Sequence, residues 1–462
     1  MIKYFTYRSL DDLLSDAEQR GVSVRVSEDA RPLLQPIKIG RLTAGNRMAV
    51  HPMEGCDGTL DGSPGELTFR RWEAFGAGGA KIIWGEATSV VAEGRANRRQ
   101  LLLNEGTLPA FERLLQGTRR AHRSRFGRDN DLVVGLQLTH SGRWSHSRPL
   151  IVRHHRDIDR VSGAGCEVVD DAYLERLEDR YAEAAEGAAS IGFDFVDIKQ
   201  CHTYLLNELL DARDREGAYG GSLENRTRFI TNVIGKIRAR VGSNLTLASR
   251  LNVYDGPPFS AGPDGIGVPN VDNSAGFGVN EADWSSPDLS EPLSVVRGLQ
   301  EAGVAMVNVT MGSPYFNPHI GRPFERPPVD GYTPPEHPLL GVDRHFRLTA
   351  EVQKAFPDLV VVGTGYSWLR HYAANAGAAN VRDGRVSVMG LGRGALAYPD
   401  FAADLLDHGR MIDRKSSIGV SFCTALMRAK NNELGQFPAG CAPRDSFYAK
   451  QYKLSQAGRP VR

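Results

Sequence analysis

Cysteine is scarce in this chain. Its five cysteines, Cys56, Cys166, Cys201, Cys423 and Cys441, are odd in number and widely spaced, and no C-x-x-C occurs. That argues against a disulfide framework or a zinc site. Long hydrophobic runs are missing as well; none approaches the roughly 18 residues of a membrane span. Neither charge sign dominates, with 56 Lys plus Arg against 55 Asp plus Glu, so no net field favours nucleic acid or an anionic membrane. The N-terminal stretch MIKYFTYRSLDDLL lacks the basic-then-apolar pattern of an export signal, and the expected location is cytoplasmic. There is no internal repeat and no low-complexity tract.

What is present is alternation. Short apolar runs occur at 47–53, 80–88, 132–140, 193–200, 245–252, 304–312, 359–365 and 385–392. Their β-branched, apolar character is that of buried parallel strands. Charged, helix-like stretches lie between them, such as DAYLERLEDRYAEAAEGAAS. Eight strands alternating with helices predict a single (β/α)8 TIM barrel. The rival, an open doubly wound sheet, would carry G-x-G-x-x-G after its first strand, and none is there. Residues 1–35 read as a lead-in with one helix ending at Gly21, 36–410 as the barrel, and 411–462 as a tail packed on it. Residues 253–290, rich in Gly, Pro, Asp and Ser, read as a long structureless loop after the fifth strand. Such loops serve as lids or binding loops.

A barrel of this kind builds its site at the C-terminal strand ends. Strands seven and eight end in Gly363-Thr364-Gly365 and Gly392-Arg393. Glycines there let backbone N–H groups approach an anion, and Arg393 adds a bidentate donor, so a phosphate site is expected. The bland alternative for Gly363 and Gly365 is a tight turn. Gln137 and Arg250 lie inside apolar strands and need partners. A structural salt bridge would serve Arg250 alone. A flavin accounts for both, since its pyrimidine edge pairs with an amide and its N1–C2=O edge with a cation. The densest cluster is Lys199-Gln200-Cys201-His202-Thr203-Tyr204. Lys199 and His202 can donate to one substrate oxygen. Tyr204, a phenol with an ordinary pKa of about 10, can deliver a proton.

The segment VDIKQCHTYLLNELL with YGGSLENRTRF (219–229) resembles the fourth-strand signature of the old yellow enzyme family, the NADH:flavin oxidoreductases. QLTHSGR (137–143) resembles the third-strand signature. NRMAVHPM (46–53), GEATSV (85–90) and MGLGRGALAYPD (389–400) fit in the right order. The resemblance covers roughly residues 35–410. It implies non-covalent FMN, NADH or NADPH as reductant, a small-molecule substrate, and barrels that often associate into homo-oligomers. By position it implies that Pro52, Met53, Glu54 and Ala87 line the flavin. Gln137 would bind its pyrimidine ring, Arg250 the N1/O2 edge, and Gly363, Gly365, Gly392 and Arg393 the phosphate. Lys199 and His202 would clamp a substrate carbonyl, and Tyr204 would protonate the α-carbon of an activated C=C bond.

Two positions depart from the family pattern. Lys199 stands where His is usual, and Glu54 where Thr, Ser or Cys is usual. A carboxylate at 54 disfavours an electron-rich reduced flavin unless it is protonated or paired with Lys199. These departures keep a second redox reading open, an FMN dehydrogenase or isomerase of a specialised metabolite. A non-redox lyase or aldolase using Lys199 as a Schiff-base nucleophile leaves Gln137 and Arg250 unexplained, and a flavin-free binding protein is weaker still. Longer relatives carry a four-cysteine iron–sulfur site after the barrel. Only Cys423 and Cys441 fall in that region, so neither a cluster nor another metal is expected.

Overall fold

The eight apolar runs become eight parallel strands. They are β1 (Met48–Val50), β2 (Ile82–Ser89), β3 (Val133–Thr139), β4 (Phe195–Ile198), β5 (Thr246–Asn252), β6 (Val304–Thr310), β7 (Val360–Gly363) and β8 (Val388–Leu391). They pair in chain order, and β8 returns to β1, so the sheet closes into a barrel. The computed structural model describes residues 3–162, 165–270, 276–329 and 331–457. Eight helices alternate with the strands: α1 (Glu66–Ala77), α2 (Leu108–Phe126), α3 (Asp171–Ser190), α4 (Leu223–Val241), α5 (Ser290–Glu301), α6 (Pro338–Ala355), α7 (Ala373–Arg382) and α8 (Phe401–His408). This is the (β/α)8 architecture expected from the alternation.

Local chemistry sets the helix ends. The Asp170 carboxylate accepts from Tyr173 N at 2.7 Å, and Ser222 Oγ from Asn225 N at 3.3 Å, capping α3 and α4. α2 stops at Gly127, whose φ of 76° only glycine adopts freely. Inside the barrel, Ile82, Trp84, Val133, Phe195, Met306 and Val388 fill the lower half. A Cβ at Gly135 would lie 2.3 Å from the Phe195 ring, so bare backbone makes room for that ring. A two-stranded floor, Ile37–Ile39 with Leu42–Ala44, adds Ile37 and Ile39 to the same cluster. The barrel is therefore plugged below, and only its upper end can hold a ligand.

The helix expected near the N-terminus spans Leu10–Gln19, with Ser9 and Asp12 forming a capping box. The long connection after β5 corrects an expectation. It is not structureless: Phe259–Ala261 pairs antiparallel with Gly267–Pro269. The turn closes through Gly262 N to Ile266 O at 2.7 Å. Residues 271–275 of this connection, and 458–462 of the tail, lie outside the described residues. The tail carries α9 (Phe422–Arg428) and α10 (Ser446–Gln456), joined by stacking of Phe422 on Tyr452 at 4.1 Å. Ala439 N donates to Gly55 O at 2.7 Å, which ties the tail to the loop after β1. Among the described residues no helix is long and apolar enough to cross a membrane.

Candidate active site

The upper barrel begins with a polar layer. Strand register places Ala87 beside Gln137 and Gln137 beside Asp197. Asp197 Oδ2 accepts from Gln137 Nε2 at 2.6 Å and from Trp84 Nε1 at 2.7 Å; Oδ1 accepts from Arg250 N at 2.6 Å. Burial pushes the Asp197 carboxyl above its ordinary range. Asp197 thus fixes the Gln137 side chain and the backbone of Arg250. The Arg250 guanidinium has no hydrogen bond or ion pair among the described residues, and its Nε is buried without a partner. Burial holds its pKa down. Asp197 opposes its charge without bonding to the guanidinium; a desolvated cation with no hydrogen-bonded partner is costly, so this one calls for a bound acceptor.

At the end of β4 the backbone turns sharply. His202 and Thr203 take φ of 65° and 56°, the left-handed region that non-glycine residues rarely occupy. Such strain persists only where surroundings hold it. Here Thr203 N donates to Asn207 Oδ1 at 2.6 Å, and Thr203 Oγ1 meets Ser313 Oγ at 2.9 Å. The turn brings Lys199, His202 and Tyr204 together, with His202 Nε2 3.4 Å from Thr310 Oγ1. Burial, then the charges of Arg250 and Lys199, hold His202 well below its usual pKa, so it is a neutral imidazole.

Lys199 packs on the neighbouring phenol. Its Nζ lies 3.2 Å from the centroid of the Tyr204 ring, a cation–π contact. Burial lowers its pKa to about 8. The Tyr204 hydroxyl lies 3.2 Å from the Tyr315 hydroxyl, and burial drives its pKa well above the ordinary value. Tyr315 stacks on Trp144 at 3.8 Å and 10°. Trp144 Nε1 in turn donates to Thr203 O at 3.0 Å. Loops after β3 and β6 therefore roof the β4 cluster. Sequence reasoning missed Asp197, Tyr315 and Trp144. A lone acid inside an apolar strand was a readable signal for the first; Tyr315 carried none.

Glu54 follows β1. Its Oε1 accepts from Asn97 Nδ2, and Cys56 Sγ lies 3.7 Å away. It forms no ion pair with Lys199. Burial, then the nearby Glu86, raise its pKa to about 7. Glu86 is itself paired with Arg71, and its Oε2 accepts from Gly55 N at 2.9 Å, which anchors the loop. Burial pushes the Cys56 thiol well up, so the one cysteine beside this loop is not a ready nucleophile. Pro52 is buried. Met53 Sδ lies 3.0 Å from where a Gly392 Cβ would stand.

Beyond β7, Gly363 is taken up by the strand, its carbonyl accepting from His51 Nε2 at 3.2 Å. Gly365 is the turn residue: φ is 94°, and a Cβ would lie 2.7 Å from His345 Cβ. Beyond β8, Arg393 Nη1 donates to Thr424 Oγ1 at 2.5 Å and has no carboxylate partner among the described residues. The donor set fits FMN. Two guanidiniums that form no ion pair among the described residues, Arg250 and Arg393, suit an electron-rich ring edge and a phosphate. The glycine turn leaves backbone accessible between them in the chain.

The sequence signatures themselves are largely scaffold. In GGSLENR, Ser222 caps α4, and Arg226 donates to Gly221 O and Leu210 O and pairs with Glu291. His140 is spent on Tyr173 OH at 2.9 Å and Gly142 N at 3.0 Å, and Arg143 on Glu208 and Asp159. They lock the loops that carry the reacting side chains.

Residues 32–259 match the model of the NADH:flavin oxidoreductase / NADH oxidase family. The NADPH dehydrogenase of Geobacillus thermodenitrificans is 30% identical over 297 residues, covering 61% of this chain and 73% of that protein. Among solved structures, a 2-naphthoyl-CoA reductase in complex with 2-naphthoyl-CoA aligns with a TM-score of 0.66 at 18% identity. That alignment covers 94% of this chain, which spans only 59% of the longer protein. The old yellow enzyme homologue of Zymomonas mobilis aligns with a TM-score of 0.57 at 20% identity, covering 83% and 94%. These two likenesses concern the fold. The chain belongs to the NADH:flavin oxidoreductase / NADH oxidase family and is an FMN-dependent oxidoreductase of the old yellow enzyme type, with a nicotinamide as reductant.

Proposed function

We propose that the enzyme reduces an activated C=C bond of a carbonyl compound at the expense of NADH or NADPH. The observation that carries this reading is the Tyr204 hydroxyl, buried, held protonated, and grouped with a neutral His202 at one strand end. His202 offers an N–H to a substrate carbonyl, which stabilises charge developing there as the alkene is reduced. Tyr204 holds the proton for the α-carbon. The Lys199 ammonium against the Tyr204 ring stabilises the phenolate left behind. Gln137, Arg250, Gly365, Gly392 and Arg393 would bind FMN, with Pro52, Met53, Glu54 and Ala87 lining it, and the bound cofactor would supply hydride exchange between nicotinamide and substrate. Asp197 serves by fixing Gln137 and the Arg250 backbone in place.

The test is direct. Purified protein should be yellow, release free FMN on heat denaturation, and be bleached by a nicotinamide and recoloured by an activated alkene. Flavin that stays with the precipitated chain would contradict non-covalent binding. A reduced enzyme that no activated alkene reoxidises would end the ene-reduction reading. Arg393→Ala should weaken FMN retention by on the order of 1.5–3 kcal/mol while the barrel stays folded. Full flavin content after dialysis would remove Arg393 from the phosphate.

A second reading is favoured by Glu54. A carboxyl with a pKa of about 7 in this region suits proton abstraction from a saturated substrate. Bleaching of the enzyme by a saturated carbonyl compound, without any nicotinamide, would select that dehydrogenase direction.

A further inference from the structure

We propose, building on the FMN reading above, that Arg322 and Arg393 form a two-guanidinium clamp for the cofactor's phosphate, and that the C-terminal tail holds the clamp in position. Arg322 follows the short helix Pro318–Gly321 in the loop after β6; Arg393 follows β8. Far apart in sequence, both reach the start of α9. Arg322 Nη2 donates to Ser421 Oγ at 2.8 Å, and Arg393 Nη1 to Thr424 Oγ1 at 2.5 Å. Ser421 is the cap residue of α9 and Thr424 lies in its first turn, so both tethers sit at one helix end. Ser421 is held at a φ of 56°, and its hydroxyl also donates to Arg326 O at 2.5 Å. This strained residue is fixed from both sides.

The charges make the case. Neither guanidinium has a carboxylate within ion-pair reach among the described residues. Burial, then the Arg393 charge itself, hold Arg322 well below its ordinary pKa. The two like charges oppose one another, and the repulsion strengthens as water is excluded. Among the described residues their side-chain hydrogen bonds go to the two hydroxyls and to the Cys423 thiol, 4.0 Å from Arg393 Nη1. Arg428, which donates to Pro314 O, adds a further positive charge nearby. Hydroxyl tethers orient a guanidinium without neutralising it, whereas a carboxylate tether would compete with a bound anion. Each arginine keeps further N–H donors for a ligand. A phosphate monoester supplies close to two negative charges and three acceptor oxygens, which matches two arginine forks. A single carboxylate would leave one positive charge uncompensated.

The experiment compares two ligands that differ only in the phosphate. Flavin-free protein is titrated with FMN and with riboflavin, read by quenching of flavin fluorescence. Arg322→Ala should reduce the preference for FMN over riboflavin by about 10–100-fold, the worth of one charge-assisted contact, with riboflavin affinity unchanged. Thr424→Val, which keeps every charge and removes only the Arg393 tether, should reduce the preference several-fold. An unchanged unfolding midpoint checks that both variants remain folded. An FMN preference that survives Arg322→Ala overturns the clamp. So does a parallel loss of FMN and riboflavin, which would mark Arg322 as structural. A full preference in Thr424→Val removes the tail from the site. If the unaltered protein bound neither flavin, the cofactor reading would fail, and the clamp with it.

Discussion

Tyr204→Phe is expected to leave reduction of the enzyme by the nicotinamide nearly intact and to slow reoxidation by an activated alkene by roughly 10²–10⁴-fold, the usual worth of a positioned general acid. The reductive half needs no proton from this side chain. The oxidative half needs one at the substrate's α-carbon. Burial and the Tyr315 hydroxyl keep the phenol protonated across the workable pH range. The oxidative rate should therefore show no titration of Tyr204 itself. His202→Ala should differ, weakening substrate binding as well as slowing the oxidative half, because the imidazole contacts substrate before the proton moves. Stopped-flow absorbance of the flavin resolves the two halves. Equal losses in both halves for Tyr204→Phe would leave Tyr204 as a packing residue under Trp144 and Tyr315.

The barrel was readable in the sequence because each strand is a run of buried residues bounded by charged helices, and a closed parallel sheet requires that alternation. The β4 cluster was readable because Lys199, His202 and Tyr204 are near neighbours in sequence. What could not be read is what distant loops bring to the same place. Tyr315 meets Tyr204 across 111 positions, and no motif surrounds it. Ser421 and Thr424 are single hydroxyls in a tail that reads only as packing. The hairpin at 259–269 escaped for another reason: strands of three residues are too short to show a period of two. Gln137 and Arg250 were legible as buried polar groups in need of partners. The structure divides them, giving Gln137 an internal partner in Asp197 and leaving the Arg250 guanidinium without a hydrogen bond among the described residues.

Glu54→Gln is expected to change how the stability of the flavin-free protein depends on pH. The Glu54 pKa rises from 4.5 to about 7 in the fold, chiefly through burial. The folded chain therefore keeps this proton to higher pH than the unfolded chain does. The associated stability is fully present below about pH 4.5 and is lost as pH rises through about 7. At about 1.4 kcal/mol per unit, the loss is at most about 3.5 kcal/mol, and solvent reaching the partly buried carboxyl reduces it. Lys199 runs the other way, its pKa lowered from 10.5 to about 8. Its contribution is present above about pH 10.5 and lost as pH falls through about 8. Both groups are charged together only near pH 7–8, where their mutual attraction offsets part of each burial cost. Glutamine keeps the size and an acceptor for Asn97 but cannot ionise, so it removes the Glu54 titration alone. Urea unfolding at pH 5 and pH 8 should show the variant gaining up to about 2.5 kcal/mol on the unaltered protein between the two conditions. A stability difference that stays constant with pH would mean that Glu54 is ionised throughout, and that the carboxylate is compensated by a partner other than Asn97 and Cys56.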